Sequence, residues 1–265
     1  MYSKIQFVKK YLKYYLKASN SRGHGIHSPF VFDFIKNVLH DKPDPDAYAS
    51  VEMLRKQLLQ DHRMVEVNDF GAGSAITRSN HRSVAGIARS SAVAPKTGQL
   101  LFRISNYYHP KIIVELGTSL GVSAAYLASG NPAAELITIE GSDKIASIAE
   151  KNFEKLGLKN VRLIRGNFDE KLFSVIDHLT NIGLVYIDGN HRKEPVLRYF
   201  NLLMTHMSES SLIILDDIHW SSEMEEAWSV IQNDSRVQLT IDLFFFGLVF
   251  FRNDFKIKQY FTIRF

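Results

Sequence analysis

The chain has 265 residues, 45% of them apolar and 12% aromatic, enough to bury a sizeable core in one domain or in one domain with a large appendage. It has no cysteine, which excludes a disulfide framework and any thiolate metal site. The net charge is +4 and 23% of residues are charged, as in an ordinary soluble globular protein.

Charge is unevenly spread. Residues 1–32 carry Lys4, Lys9, Lys10, Lys13, Lys17 and Arg22 with no acid before Asp33, and removing these six charges from the net +4 leaves −2 on the rest. A basic leader of this kind suits nucleic acid or an anionic membrane surface. The plainer reading, preferred here, is a solvated helix face with Tyr11, Tyr14, Tyr15 and Leu12 covering the core. Lysines interrupt every apolar run of MYSKIQFVKKYLKYYLK, so no signal-peptide core is expected. No later segment is long and apolar enough for a bilayer, and a cytoplasmic protein is expected.

Helices are predicted over residues 3–18, 29–40, 47–61 and 97–108, with DKPDPD at 41–46 as a breaker. The run VEVNDFGAGS (65–74) meets a turn at Gly71 and Gly73, but no acid-ended strand follows it. The basic HRSVAGIARSS that comes next reads as helical, and the 71–73 loop is a candidate to close over a site.

From about residue 110 the texture changes. Short apolar runs at 111–116, 136–140, 161–165, 183–188 and 211–216 alternate with helix-length segments. Near-continuous apolar runs predict parallel strands buried on both faces by crossover helices. VQLTIDLFFFGLVFF (237–251) holds two strand-like pieces, which predicts an antiparallel hairpin at a sheet edge. The expected fold class is α/β, a doubly wound, mostly parallel Rossmann-like sheet with a C-terminal antiparallel hairpin and an N-terminal helical region. The expected organisation is an accessory region over 1–109 and a ligand-binding domain over 110–265.

In such sheets the ligand lies beyond the carboxyl ends of the strands. The first run is followed by GTSLGVSAAYLA, where Gly117 and Gly121 bracket a tight turn before a small-residue helix. Glycines let the backbone approach a ligand, and the helix start offers free N–H groups. The second run ends in Glu140, 23 residues after Gly117, near the spacing at which a carboxylate accepts from both hydroxyls of a ribose. The third leads to GNFDE, where Asn167 and Asp169 are candidates for an adenine edge. In order on three consecutive strands, these features point to a nucleoside cofactor.

Asp188 ends the fourth run and Asp216–Asp217 the fifth. Three carboxylates converging on neighbouring strand ends suit a hard divalent cation such as Mg²⁺. The alternative is that Asp217 caps the helix beginning near Ser221 or pairs with a cation.

IVELGTSLGVSAAYLA resembles the first motif of S-adenosylmethionine-dependent methyltransferases, most closely the catechol O-methyltransferase-like group. ITIEG, IRGNFDE, LVYIDGNH and LIILDDIHW follow in that family's order, and the likeness covers residues 110–253. The first 100 residues, with RGHGIHSPFVF, look like an accessory helical region on some bacterial members. The resemblance implies that Glu115, Gly117, Thr118, Ser119 and Gly121 hold the methionine part of S-adenosylmethionine. Glu140 would bind its ribose, and Asn167 with Asp169 its adenine. NAD-binding chains usually show G-x-G-x-x-G, whereas the spacing here is G-x-x-x-G. IDGNH stands where N-methyltransferases carry Asp or Asn, Pro-Pro and an aromatic, which favours oxygen as the acceptor atom.

In metal-dependent members the acidic rim is Asp, Asp and Asn, so Asp217 adds a negative charge to the pattern. His191 stands where those members have a catalytic lysine. With a pKa near 6.5 it is a candidate base, with Asp188 beside it, and a structural role is the alternative. His24, His27 and His219 read as local hydrogen-bonding groups. The function expected from these features is O-methylation of a small hydroxylated molecule, with a homodimer as one possible assembly. The alternatives are an RNA or protein methyltransferase that grips its substrate with the basic leader, or a cofactor-binding protein without catalysis.

Overall fold

In a computed structural model, residues 1–19, 23, 25–41, 46–67 and 81–265 are described. His24, Gly71, Gly73 and most of the 41–46 breaker lie outside them. The chain forms two compact units, Met1–Asp41 with Leu179–Phe265, and Lys42–His178. Most strands belong to an eight-stranded, mostly parallel sheet flanked by helices, as the alternating apolar runs imply.

In the first unit, α1 (Lys4–Lys17) begins with a capping box: Ser3 Oγ accepts from Gln6 N and Gln6 reaches back to Ser3 N. Its inner face carries Phe7, Tyr11, Tyr14 and Ala18, all packed on Phe244. Leu12 and Tyr15, expected to cover the core, instead point outward, 54% and 46% exposed. The reason is periodicity: residues 7, 11, 14, 18 and residues 5, 8, 12, 15 are equally good helical stripes, and only the partner surface selects one. α2 (Pro29–Phe34) starts on a proline, which costs nothing where the N–H has no helical partner, and runs into a π turn over Ile35–Leu39.

In the second unit, α3 (Asp46–Gln60) leads to β1 (Met64–Glu66), which pairs antiparallel with β2 (His81–Ser83). The segment predicted as wholly helical therefore opens as a strand, and Ser83 then caps α4 (Val84–Ser91) by accepting from Gly86 N at 3.0 Å. α5 (Pro95–Tyr108) precedes β3 (Ile112–Leu116), α6 (Val122–Gly130), β4 (Glu135–Glu140), α7 (Asp143–Lys155), β5 (Val161–Arg165) and α8 (Phe168–Ile176). β3, β4 and β5 are parallel neighbours in that order, in register from Ile112–Glu135 to Glu140–Arg165, so their carboxyl ends line one rim. α5 lies against α6, where Ser105 Oγ donates to Leu127 O at 2.8 Å.

The first unit resumes with β6 (Ile182–Ile187), α9 (Lys193–Met204), β7 (Met207–Asp216), α10 (Ser222–Asn233), β8 (Leu239–Asp242), β9 (Phe246–Phe250) and β10 (Gln259–Thr262). β6 and β7 are parallel; β9 runs antiparallel between β7 and β8. The hairpin is thus formed by β8 and β9 as predicted, but it is not the edge. β10 pairs parallel with β8 outside it. That four-residue strand follows a polar loop and is half-exposed, so it lacks the apolar run that marks its neighbours.

Candidate active site

The turn after β3 is built for close backbone approach. Gly117, Ser119 and Gly121 have φ of 107°, 47° and 82°, left-handed values that L side chains rarely adopt. Gly121 admits no side chain, because a Cβ there would meet the Phe153 ring at 2.6 Å. Gly117 N and Thr118 N donate to Ile139 O at 3.1 and 3.2 Å, tying the turn to the end of β4. Asn152 Nδ2 donates to Leu120 O at 2.9 Å and closes it from α7. α6 begins immediately, with Gly121 as its cap and no side chain consuming its first N–H groups.

Two carboxylates flank this turn. Glu115 is fully buried and accepts from Thr138 Oγ1 at 2.5 Å. Because Thr138 donates there, the 2.5 Å contact between Thr118 and Thr138 must run from Thr118 to Thr138. A Thr118–Thr138–Glu115 chain therefore fixes the turn from beneath. Glu140, half-buried, accepts from Ser119 N through Oε2 and from Ser142 N through Oε1, each at 2.9 Å. Thr138 and Ser142 were missed in the sequence. Thr138 lies two residues before Glu140 and so on the same face of the strand, which is the signal that was available.

Asn167 caps α8: its Oδ1 accepts from Asp169 N at 3.0 Å. That leaves its Nδ2 for another acceptor, and Asp169 is exposed. A surface cavity of about 310 Å³, lined by Pro132, Glu135, Lys159 and Arg162 among others, sits at the opposite, amino-terminal ends of β4 and β5 and includes none of these residues.

The acidic rim belongs to the first unit. Tyr186 Oη donates to Asp188 Oδ2 at 3.2 Å, and His191 Nε2 stands 3.5 Å from Asp188 Oδ1. Asn190 and Asp217, just past β6 and β7, are left-handed at φ 53° and 55°. Burial, then the charges of Asp188 and Asp217 and a hydrogen bond with Asp188, hold the Asp216 carboxyl well above the usual carboxylate range. Burial also pushes Asp217 up to about 6; the His191 charge restrains that rise and Asp188 adds to it. For His191, burial opposes protonation, but the Asp188 hydrogen bond and the charges of Asp188 and Asp217 prevail and raise its pKa. Among the described residues no group of three or more His, Asp or Glu side chains is placed to hold a metal ion. The Mg²⁺ site expected at Asp188, Asp216 and Asp217 is therefore not formed. Burial and the neighbouring charges favour the neutral form of Asp216, which lessens the repulsion that a cation was expected to balance. Nor does Asp217 cap α10: Ser221 does, accepting from Met224 N at 3.2 Å.

His219 is a local hydrogen-bonding group, as expected. Its Nδ1 lies 3.0 Å from Glu225 Oε1 and its Nε2 2.8 Å from Asp242 Oδ2. Two carboxylate acceptors require both ring nitrogens to donate, which is the imidazolium. Its ring stacks on Phe244 at 5.1 Å, and Lys10 and Tyr2 of the α1 segment reach the same Glu225 at 2.7 Å. His27 is exposed and joins no such group among the described contacts.

Residues 114–218 match the family model described as a methyltransferase domain. That match spans 105 of the 265 residues and makes this part of the chain similar to methyltransferase domains. The chain is 27% identical over 164 residues to a catechol O-methyltransferase of Niastella koreensis, covering 60% of this chain and 72% of that one. It is 34% identical over 109 residues to a putative O-methyltransferase of Mycobacterium sp. (strain JLS), covering 40% of this chain and spanning only 49% of that relative. A crystal structure of the O-methyltransferase from Bacillus cereus in complex with SAH superposes with a TM-score of 0.57 at 19% identity, covering 83% of this chain and 97% of that one. At that identity the likeness is one of fold. No helix among the described residues is long and apolar enough to cross a membrane.

Proposed function

We propose that this chain transfers the methyl group of S-adenosylmethionine to a hydroxyl oxygen of a small molecule, in the cytoplasm. The observation that carries the reading is Glu140, held at the end of β4 by Ser119 N and Ser142 N, beside a turn that admits no side chain at Gly121. That geometry suits a ribose diol, since a carboxylate is an acceptor that can take a hydrogen bond from both hydroxyls. Glu115, Gly117, Thr118, Ser119 and Gly121 would hold the methionine part, and Asn167 with Asp169 the adenine. The small-molecule acceptor follows the printed names of the relatives, two of them O-methyltransferases.

When bound, S-adenosylmethionine supplies a methyl group on a sulfonium, already poised to leave. The chain's own work is to position the acceptor, keep water out and take one proton from the hydroxyl. His191 is assigned that proton, with Asp188 orienting the ring and stabilising its charge. Removal of water is the remaining task, and burial at the Asp216 rim is what supports it.

Calorimetry tests the reading. S-adenosylmethionine and S-adenosylhomocysteine should bind and NAD should not. Glu140→Ala should weaken both sulfur nucleosides by about 1–3 kcal/mol, because buried hydroxyls lose their partner. An unchanged affinity removes Glu140 from the site, and binding of NAD alone removes the assignment.

A further inference from the structure

The outward face of α1 has no role in the reading above. Along it run Ile5, Val8, Leu12, Tyr15 and Leu16, spaced three and four residues apart as one continuous stripe. Ile5 is 70% exposed, Val8 56%, Leu12 54% and Leu16 79%, so most of the stripe's apolar surface faces outward. Isolated surface apolar residues need no explanation, but a contiguous row over one helix does.

The charges around the stripe narrow the occupant. Lys4 borders it on one side and Lys9 and Lys13 on the other, with Lys17 in the last turn, and all four are exposed. None of the four forms an ion pair among the described residues. Lys10, on the docked side, is the exception that shows the arrangement is sided: it pairs with Glu225 at 2.7 Å. Where α1 ends, Arg264 lies over the Tyr15 ring at 4.4 Å and donates to Tyr15 O at 2.8 Å, adding a cation at that end of the stripe.

The helix is also held flat. Phe7 meets Trp220 at 5.9 Å and Phe244 at 5.2 Å, Tyr11 meets Phe244 at 5.0 Å, and the Tyr14 hydroxyl donates to Ile263 O. Docking along its whole inner face leaves the outer face parallel to the protein surface over about 21 Å, the length of fourteen helical residues.

We infer that this face is a docking surface for an anionic lipid bilayer, with Ile5, Val8, Leu12 and Leu16 entering the headgroup–acyl boundary and Lys4, Lys9, Lys13 and Lys17 meeting the lipid charges. A large apolar stripe bordered by lysines on a helix lying in the plane is the composition that interfacial helices use. A second copy of α1 fits less well, since every ionised side chain bordering the stripe is positive and self-pairing would juxtapose like charges. A nucleic acid would take the lysines but leave the five apolar side chains in water.

Flotation of the full chain with vesicles tests this, using phosphatidylcholine alone and phosphatidylcholine mixed with phosphatidylserine. The protein should float with the phosphatidylserine vesicles and not with phosphatidylcholine alone. Leu12→Glu, at a site exposed enough to leave folding intact by circular dichroism, should cut binding about tenfold or more. Lys9→Glu with Lys13→Glu should do the same, at about 1 kcal/mol for each lysine lost near an anionic surface, while Lys151→Glu on α7 should change nothing. No flotation with phosphatidylserine vesicles overturns the inference. So does a dimer in sedimentation equilibrium that Leu12→Glu dissolves, which would make a second copy the occupant. Salt-sensitive RNA binding that survives Leu12→Glu would assign the lysines to nucleic acid instead. None of these readings requires turnover, so failure here leaves the methyl-transfer proposal standing.

Discussion

The rim after β3 and β4 and the rim after β6 and β7 both present carboxylates at strand ends, yet they solve the problem of charge differently. At the first, Glu140 is met by two backbone N–H groups and Glu115 by a threonine hydroxyl chain, so each carboxylate is provided with donors by the local fold. At the second, burial and mutual repulsion push Asp216 and Asp217 toward their neutral forms, and His191 is drawn toward its charged form. A carboxylate given fixed donors is a recognition group that waits for a ligand's hydroxyls. A carboxylate that shares protons with a histidine is part of a system that can move a proton. The same residue type at the same place in two strand ends thus suits binding in one case and chemistry in the other.

That division can be broken most sharply at His191. His191→Ala should lower the maximal rate by about 10²–10⁴-fold, the usual contribution of a positioned base, while leaving the affinity for S-adenosylhomocysteine within a factor of about two. Steady-state rates and calorimetry on the same preparation decide it. A variant that turns over normally would place the base elsewhere and strip the acidic rim of its chemical role. A variant that loses cofactor affinity instead would show that the two rims do not divide the work.

The recognition rim can be tested through a residue that touches no ligand in the proposal. Thr138→Val preserves shape but removes the donor that Glu115 uses and the acceptor that Thr118 uses. Leaving a fully buried carboxylate short of a partner should cost about 1–3 kcal/mol in urea unfolding, with weaker cofactor binding as the turn loosens. A stability change under about 0.5 kcal/mol, the range of ordinary surface substitutions, would mean the chain beneath the turn is ornamental.

Much of this was legible in the sequence, and the parts that were not share a cause. The strands from β3 to β7 announce themselves because each is an apolar run bounded by turns, and Gly117, Gly121 and Glu140 follow from what stands at their carboxyl ends. Leu12 and Tyr15 were misplaced because α1 carries two stripes of identical spacing, and the choice between them belongs to Trp220 and Phe244, more than two hundred residues away. β10 escaped because a short half-exposed strand buries too little to leave a pattern. The expected Mg²⁺ site failed for a related reason. Three acids in the right order say that like charges meet, but not whether a cation or a proton resolves the meeting, which depends on distances and burial.

The smallest effect addresses that last choice. Asp217 has its folded pKa raised to about 6, against about 3.9 for an unfolded aspartate, so between these values the native state holds the proton more tightly. Its contribution to stability is therefore best at low pH and declines as pH rises from about 4 through about 6. His191 acts in the same direction at higher pH: with its folded pKa raised, its contribution is complete below about 6.5 and is lost as pH climbs through the folded value. Asp217→Asn removes the first decline and keeps the second. The full shift would correspond to about 3 kcal/mol, but the charge of Asp217 is partly balanced by His191, so a gain of about 1 kcal/mol at pH 7 is expected. Chemical unfolding of parent and variant at pH 4, 5.5 and 7 should show the curves together at pH 4 and separating as pH rises. Parallel curves would show that Asp217 ionises freely in the folded chain, and the proton-sharing account of the rim would fail. A slope in the parent that vanishes on adding Mg²⁺ would show the opposite failure: a cation displacing the protons from a rim whose described side chains are not placed to hold one.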